Sequence, residues 1–339
     1  MDPVRELQNQ KIVFRLTALW ALNESGLGGF MHAMNLPFTG LIVGSIAVAL
    51  ITFIVYFSEG DKSTLFNALV IVLLIKLLLS PHSSVTAYFA VSFQAICAFI
   101  FYRLLGLHLI SIIMVCVVTF VESASQKLIT LTIIGGMSFW NAIDVFIENI
   151  ARQFFQYSLS NASLWLVGSY YAIYVGFALL SAFFIYSLLE EFRVLNFNDR
   201  PARPLPVKPL EPRGHEGKRK SPWIKYVMYL GIIAFVVATF LVFGNERYKD
   251  NFVVYYFLRT FAVVLFWYYI LMPYAMVIVK KYLNKKLPAY QNEVDEILNI
   301  LPELKQIIFH AWEESASRKG LRRLKHFFTL ALIEILTYK

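Results

Sequence analysis

Long apolar runs, separated by short polar connections, dominate this chain. A helix needs about 20 predominantly apolar residues to cross a bilayer. Eight runs meet or approach that length, near residues 14–34, 37–58, 64–80, 84–105, 107–134, 162–189, 224–243 and 252–279. The first contains Asn23 and Glu24 and ends in Gly26, Gly28 and Gly29, so a break in its winding is expected. The fifth is too long for one crossing and is expected to tilt or to continue along the interface. After it, Trp140, Ile143, Phe146, Ile147, Ile150, Phe154 and Phe155 recur at helical spacing, with Asp144, Glu148 and Arg152 elsewhere on the wheel. That pattern predicts an amphipathic helix over 137–160, lying at the outer interface.

Two further stretches have their own pattern. Pro201, Pro204, Pro206, Pro209, Pro212 and Pro222 mark an extended linker. Beyond the last apolar run, Val294, Ile297, Leu298, Leu301, Leu304, Ile307 and Ile308 recur every three or four residues against Glu293, Asp295, Glu296 and Lys305. The final run, from Phe327 to Leu336, is too short to span and follows a cationic shoulder over 318–325. It reads as an interfacial or partner-binding helix anchored on anionic lipid. The expected fold is therefore an all-α integral membrane protein. A six-span body (1–190) is followed by a basic, proline-rich linker (191–223), a two-span unit (224–287) and a cytoplasmic amphipathic helical tail (288–339).

Composition agrees with this reading. Of 339 residues, 58% are hydrophobic and 16% charged, against about 25% charged in an ordinary soluble domain. That leaves too little polar surface to cover a water-soluble globule. The net charge of +9 invites a nucleic-acid reading, but its placement argues otherwise. Arg193, Arg200, Arg203, Lys208, Arg213, Lys218, Arg219, Lys220 and Lys225 fall between the sixth and seventh runs, and Lys280, Lys281, Lys285 and Lys286 follow the eighth. Basic residues collect on the cytoplasmic side. Eight crossings then place both termini inside an inner, cytoplasmic membrane, with residues 193–225 against anionic lipid and no nucleic-acid partner. Cys97 and Cys116 fall inside apolar runs and are expected to pack as small apolar side chains. The polar start, Met1 to Glu6, lacks the apolar core of a secretory leader.

Ionisable and amide side chains within hydrocarbon are costly and mark candidate sites. Asn23 and Glu24 lie in the first run, Lys76 in the third, Gln94 in the fourth, and Glu122, Gln126 and Lys127 in or beside the fifth. Glu122 and Gln126 are four residues apart, on one helical face with Thr119 and Ser123 nearby. They read either as a pocket wall for a small ligand or as packing contacts, interhelical hydrogen bonds or a Glu–Lys pair; contact of Glu24 or Glu122 with Lys76 or Lys127, with no cavity, would favour packing. Lys76 and Lys127 are expected to snorkel from their helix ends. His32 and His82 fall near the outer surface, where they could cover a ligand; no histidine pair has metal-ligand spacing. Thr17, Ala21 and Ser25 recur every four residues, and Gly40 and Gly44 form a GxxxG, stripes that let helices or partner proteins approach closely.

Leu22-Asn23-Glu24-Ser25, then Leu36-Pro37-Phe38-Thr39-Gly40-Leu41-Ile42-Val43-Gly44, then Ser80-Pro81 and Glu122-Ser123-Ala124-Ser125-Gln126 carry a resemblance. Over about the first 190 residues the chain resembles energy-coupling factor (ECF) substrate-binding subunits, the S components. One branch of these has His-Asn-x-Gly-Gln where this chain retains only Gln126, with Glu122 at the histidine position. The resemblance implies a small-molecule site near the outer surface, closed by the loop between the first two spans. It also implies contact of the first span with an ECF-type coupling subunit and its ATPases. Thr17-x-x-x-Ala21 stands where the family has Ala-x-x-x-Ala. Residues 137–160 and everything after 190 are additions to that pattern.

The expected function is a vitamin-like small-molecule binding and uptake subunit that takes its energy from partners. Its ligand residues would be Asn23, Glu24, His32, His82, Gln94, Glu122 and Gln126, and its partner contacts Thr17, Ala21, Ser25, Gly40 and Gly44. The alternative is a non-transporting assembly scaffold that docks partners through the C-terminal unit. No nucleophile–base pair, metal motif or phosphate loop is present, so neither an enzyme nor a bound cofactor or metal is expected.

Overall fold

Apolar residues at helical spacing give helices throughout, and no strand occurs among the described residues. The computed structural model describes residues 3–33, 39–59, 61–80, 83–156, 161–194 and 260–337. The expected seventh span and nearly all of the linker lie outside them. The helices are α1 (Pro3–Leu22), α2 (Gly28–Ala33), α3 (Thr39–Phe57), α4 (Lys62–Leu79), α5 (Val85–Leu105), α6 (Leu109–Phe155), α7 (Ala162–Val194), α8 (Met272–Lys286), α9 (Gln291–Glu314) and α10 (Gly320–Thr337). Among the described residues, five helical stretches are long and apolar enough to cross a membrane: Thr39–Phe57, Val85–Leu105, Leu109–Phe154, Ala162–Val194 and Thr260–Ala289.

The break expected in the first run is a single wider turn. Asn23–Leu27 is π-helical, with the Gly28 N–H donating to the Asn23 carbonyl five residues back. The overlong fifth run continues without a loop into the expected interfacial helix, which α6 includes as far as Phe155; residues 157–160 of that expectation lie outside the described residues. Gly136 interrupts α6 at φ 64° and ψ −170°, a conformation open essentially to glycine alone.

Two compact units divide the chain: Met1–Ser123 with Ile173–Glu211 and Tyr282–Lys339, and Ala124–Ala172 with Pro212–Lys281. In the first, α3 is the most enclosed of the long apolar helices. Thr52 Oγ1 and Tyr102 Oη lie 2.7 Å apart between α3 and α5. Ser45 and Ser181 meet at 3.0 Å between α3 and α7, and the rings of Phe53 and Phe192 meet edge to face at 5.0 Å. Glycine permits the closest approaches. A Cβ at Gly40 would lie 2.4 Å from Ser123 Oγ of α6, and one at Gly44 3.4 Å from Gln94 of α5 and from Phe120 of α6. By contrast, α5 and α6 leave Phe89, Ile96, Ile100, Ile110 and Met114 exposed.

The tail packs against the same unit. α9 buries Val294, Ile297, Leu301, Leu304, Ile307 and Ala311, the stripe its periodicity predicts. Tyr290 Oη donates to Asn67 Oδ1 of α4 at 2.9 Å. Lys325 of α10 reaches Ser187 at 2.8 Å and Glu191 at 3.3 Å on α7. Arg15 of α1 donates to the carbonyls of Ile335 and Leu336 at 3.1 and 3.0 Å, satisfying acceptors that a helix C-terminus leaves open. Of the cationic shoulder, Arg318, Lys319 and Arg322 stay exposed, whereas Arg323 stacks 4.2 Å over the Trp312 ring. In the second unit, Ser125 and Tyr171 hydroxyls meet at 2.8 Å and the Asp144 carboxylate caps α7 at Ser163 N, 2.6 Å away.

Asp61 caps α4. Its carboxylate accepts from Ser63 N at 3.0 Å and from the Ser63 and Thr64 hydroxyls, which hold its pKa below the ordinary value. The site is exposed, so Asp61→Ala is expected to cost toward the lower end of the about 0.5–2 kcal/mol typical of N-caps, with Asp61→Asn retaining most of it. A carboxylate whose folded pKa is lowered stabilises fully above its unfolded value, about 3.9, and loses that contribution as pH falls through the folded one. Thermal unfolding followed against pH should show wild type and Asp61→Ala converging only in acid.

Candidate functional site

The π turn places three consecutive polar side chains, Asn23, Glu24 and Ser25, inside the first unit, all buried. Each has a different partner. Lys76 Nζ lies 2.7 Å from Glu24 Oε2 and 3.3 Å from the Glu24 backbone carbonyl, and both side chains are only 6% exposed. Asn23 Nδ2 donates to Val43 O of α3 at 3.0 Å. Ser25 donates back to Ala21 O, while Ser80 Oγ, at the end of α4, donates to Ser25 O at 3.1 Å. π turns often occur at functional sites, because the extra residue re-aims side chains and frees carbonyls.

Lys76 therefore does not snorkel, contrary to the sequence expectation. Near the C-terminal end of α4 it turns inward, because a carboxylate and a carbonyl lie within its reach there. Ion pairs this deep gain little over an apolar pair, yet removing one member leaves an uncompensated charge.

Gln94 of α5 is buried against Gly44, next in sequence to the residue that Asn23 holds, so the two amides close on consecutive residues of α3. Asn23 Oδ1, Gln94 Oε1 and Tyr88 Oη are buried with no hydrogen-bond partner among the described residues. The orientation of Asn23 is fixed, since only its Nδ2 can donate to Val43 O. Glu122 is half-buried on α6. Cys97 lies one turn along α5 from Gln94. Both cysteines are free and buried.

Other expected site residues are placed differently. Gln126 is half-buried and belongs to the second unit, while Lys127 is exposed. His32 lies on α2 with its side chain outside the described residues, and His82 lies outside them altogether. Thr17, Ala21 and Ser25 are 3%, 0% and 7% exposed, so this stripe packs within the chain. Gly40 and Gly44 likewise bring α3 against α5 and α6. Thr119 is buried and bonds back to Val115 O.

Two cavities among the described residues lie elsewhere. One, of about 580 Å³ in the first unit, is lined by Glu6, Glu59, Asp61 and Glu293 with Asn9, Gln10 and Asn67 over an apolar floor that includes Val13, Phe14 and Ile71. The other, of about 320 Å³ in the second unit, is almost wholly apolar and lies against Trp140 and Tyr171. Neither includes an expected ligand residue. Among the described residues, the group able to hold a metal is His310, Glu314 and Glu334 of α9 and α10.

The Glu24–Lys76 pair is the carboxylate–lysine contact that the packing alternative expects. The sequence reading missed Tyr88 as a buried polar neighbour, and nothing in the spacing marks it. No protein-family model, curated protein or solved structure matches this chain.

Glu24→Met or Lys76→Met alone is expected to destabilise by about 3–5 kcal/mol. The double variant Glu24→Met/Lys76→Met should lose far less than the sum. Thermal unfolding of the four proteins in one detergent completes the cycle, and additive losses would refute the coupling.

Proposed function

We propose that this chain is a multi-pass membrane protein that binds a small polar solute within the first unit, beside the π turn, and serves as the solute-binding component of an uptake system. The exposed apolar side chains along the long helices support placement in a bilayer. The observation that carries the site is Asn23 Oδ1. It is buried, its amide nitrogen is already engaged, and its oxygen has no partner among the described residues. Buried polar atoms are rarely left so.

The chemistry of the open groups defines the solute class. Asn23 Oδ1 and Gln94 Oε1 only accept hydrogen bonds, and Glu24 and Lys76 neutralise each other. A neutral or zwitterionic molecule rich in N–H or O–H donors fits this set, in keeping with a vitamin-like ligand. The six-span body, the S-component-like character, both termini in the cytoplasm and the inner membrane as location belong to the same reading. So does an ECF-type coupling subunit with ATPases as the energy source, with an ion gradient as the alternative. Residues 193–225 and the exposed Arg318, Lys319 and Arg322 would face anionic lipid. The scaffold alternative needs the tail as a docking arm, and the apolar face of α9 is already covered by the chain itself.

Purified protein in lipid nanodiscs, titrated with a panel of donor-rich vitamins, tests the proposal. A saturable ligand is expected, with affinity falling more than about tenfold in Asn23→Leu and in Gln94→Met, each worth about one lost buried hydrogen bond or more. No ligand across the panel, or binding indifferent to both substitutions, would overturn it.

A further inference from the structure

His310 and Glu314 are one turn apart on α9, and Glu334 reaches them from α10. His310 Nδ1 lies 3.4 Å from Glu334 Oε1 and 4.0 Å from Glu314 Oε2. The three ligating atoms all fall within 4.8 Å of one another. Zinc binds nitrogen and oxygen at about 2.0–2.2 Å, so a tetrahedral ion holds its ligands roughly 3.3–3.5 Å apart. The His310–Glu334 pair already has that separation. The other two pairs, His310–Glu314 at 4.0 Å and Glu314–Glu334 within 4.8 Å, close by rotation of the Glu314 side chain, which is 45% exposed.

Charge and exposure point the same way. Glu334 is only 13% exposed, so its carboxylate is presented from a partly enclosed position. Two carboxylates and an imidazole are a donor set that suits a divalent ion. A nitrogen among the donors selects zinc over calcium or magnesium, which take oxygen ligands. With three protein ligands, the fourth position is left to water.

We propose that His310, Glu314 and Glu334 form a zinc site that ties α9 to α10. The full chain, purified in detergent and stripped with a chelator, is titrated with Zn²⁺ by calorimetry, with Mg²⁺ as the control ion. A single zinc per chain is expected, together with a higher Tm and, on Co²⁺ substitution, the visible absorption of a tetrahedral site. Even outer-shell partners of zinc are worth about 10–100-fold in affinity, so His310→Ala and Glu334→Gln should each weaken binding by at least that much. Glu313→Gln, an exposed neighbour on α9, should leave it unchanged. Equal apo Tm values show that a variant is folded; His310 is exposed, so its variant keeps the test valid if Glu334→Gln is unstable. Absent binding, equal response to Mg²⁺, or affinity unmoved in His310→Ala would overturn the site.

Discussion

Two opposite charges, on Glu24 and Lys76, meet inside a bundle whose other contacts are almost all apolar. Neither could be taken out of water alone, since an isolated ion in a low-dielectric interior costs far more than any packing contact returns. Much of the local architecture follows from keeping them together. The α1–α2 stretch adopts a π turn there, which presents both the Glu24 carboxylate and its carbonyl to Lys76. Ser80 fastens the end of α4 to the next carbonyl, and Asn23 fastens the other side of the turn to α3. Three helices are thus positioned by one short polar segment.

α3 closes over that segment with a second amide. Between α3 and α5 the polar contact Thr52–Tyr102 is paired, and Phe53 meets Phe192 of α7 in an ordinary edge-to-face contact. At Val43 and Gly44 the pattern changes: the missing side chain at Gly44 lets the Gln94 amide approach the backbone, beside the amide of Asn23. Asn23 Oδ1 and Gln94 Oε1 are both buried there without a hydrogen-bond partner among the described residues.

Much of the helical layout was legible from hydrophobic period alone. The run over 84–105 became α5, and the stripe Val294, Ile297, Leu301, Leu304 and Ile307 became the buried face of α9. Both are local properties, set by which residues recur every three or four positions. What was not legible depended on partners distant in sequence. Lys76 alone looks like a snorkelling lysine; only the approach of α1 gives it a carboxylate. Thr17, Ala21 and Ser25 form a small-residue stripe whether the helix they meet belongs to the chain or to another protein. Tyr88 is one aromatic among many, and Glu334 comes near His310 only because α10 folds back on α9.

Arg15 binds the last open carbonyls of α10 from a position 320 residues away in the chain. A growing polypeptide delivers its helices in order, from first to last. α1 therefore cannot acquire this anchor until α10 has been made. Until then α1 packs against α3 and α4 without α9 and α10, so the first helix is secured only once a helix far along the chain is in place.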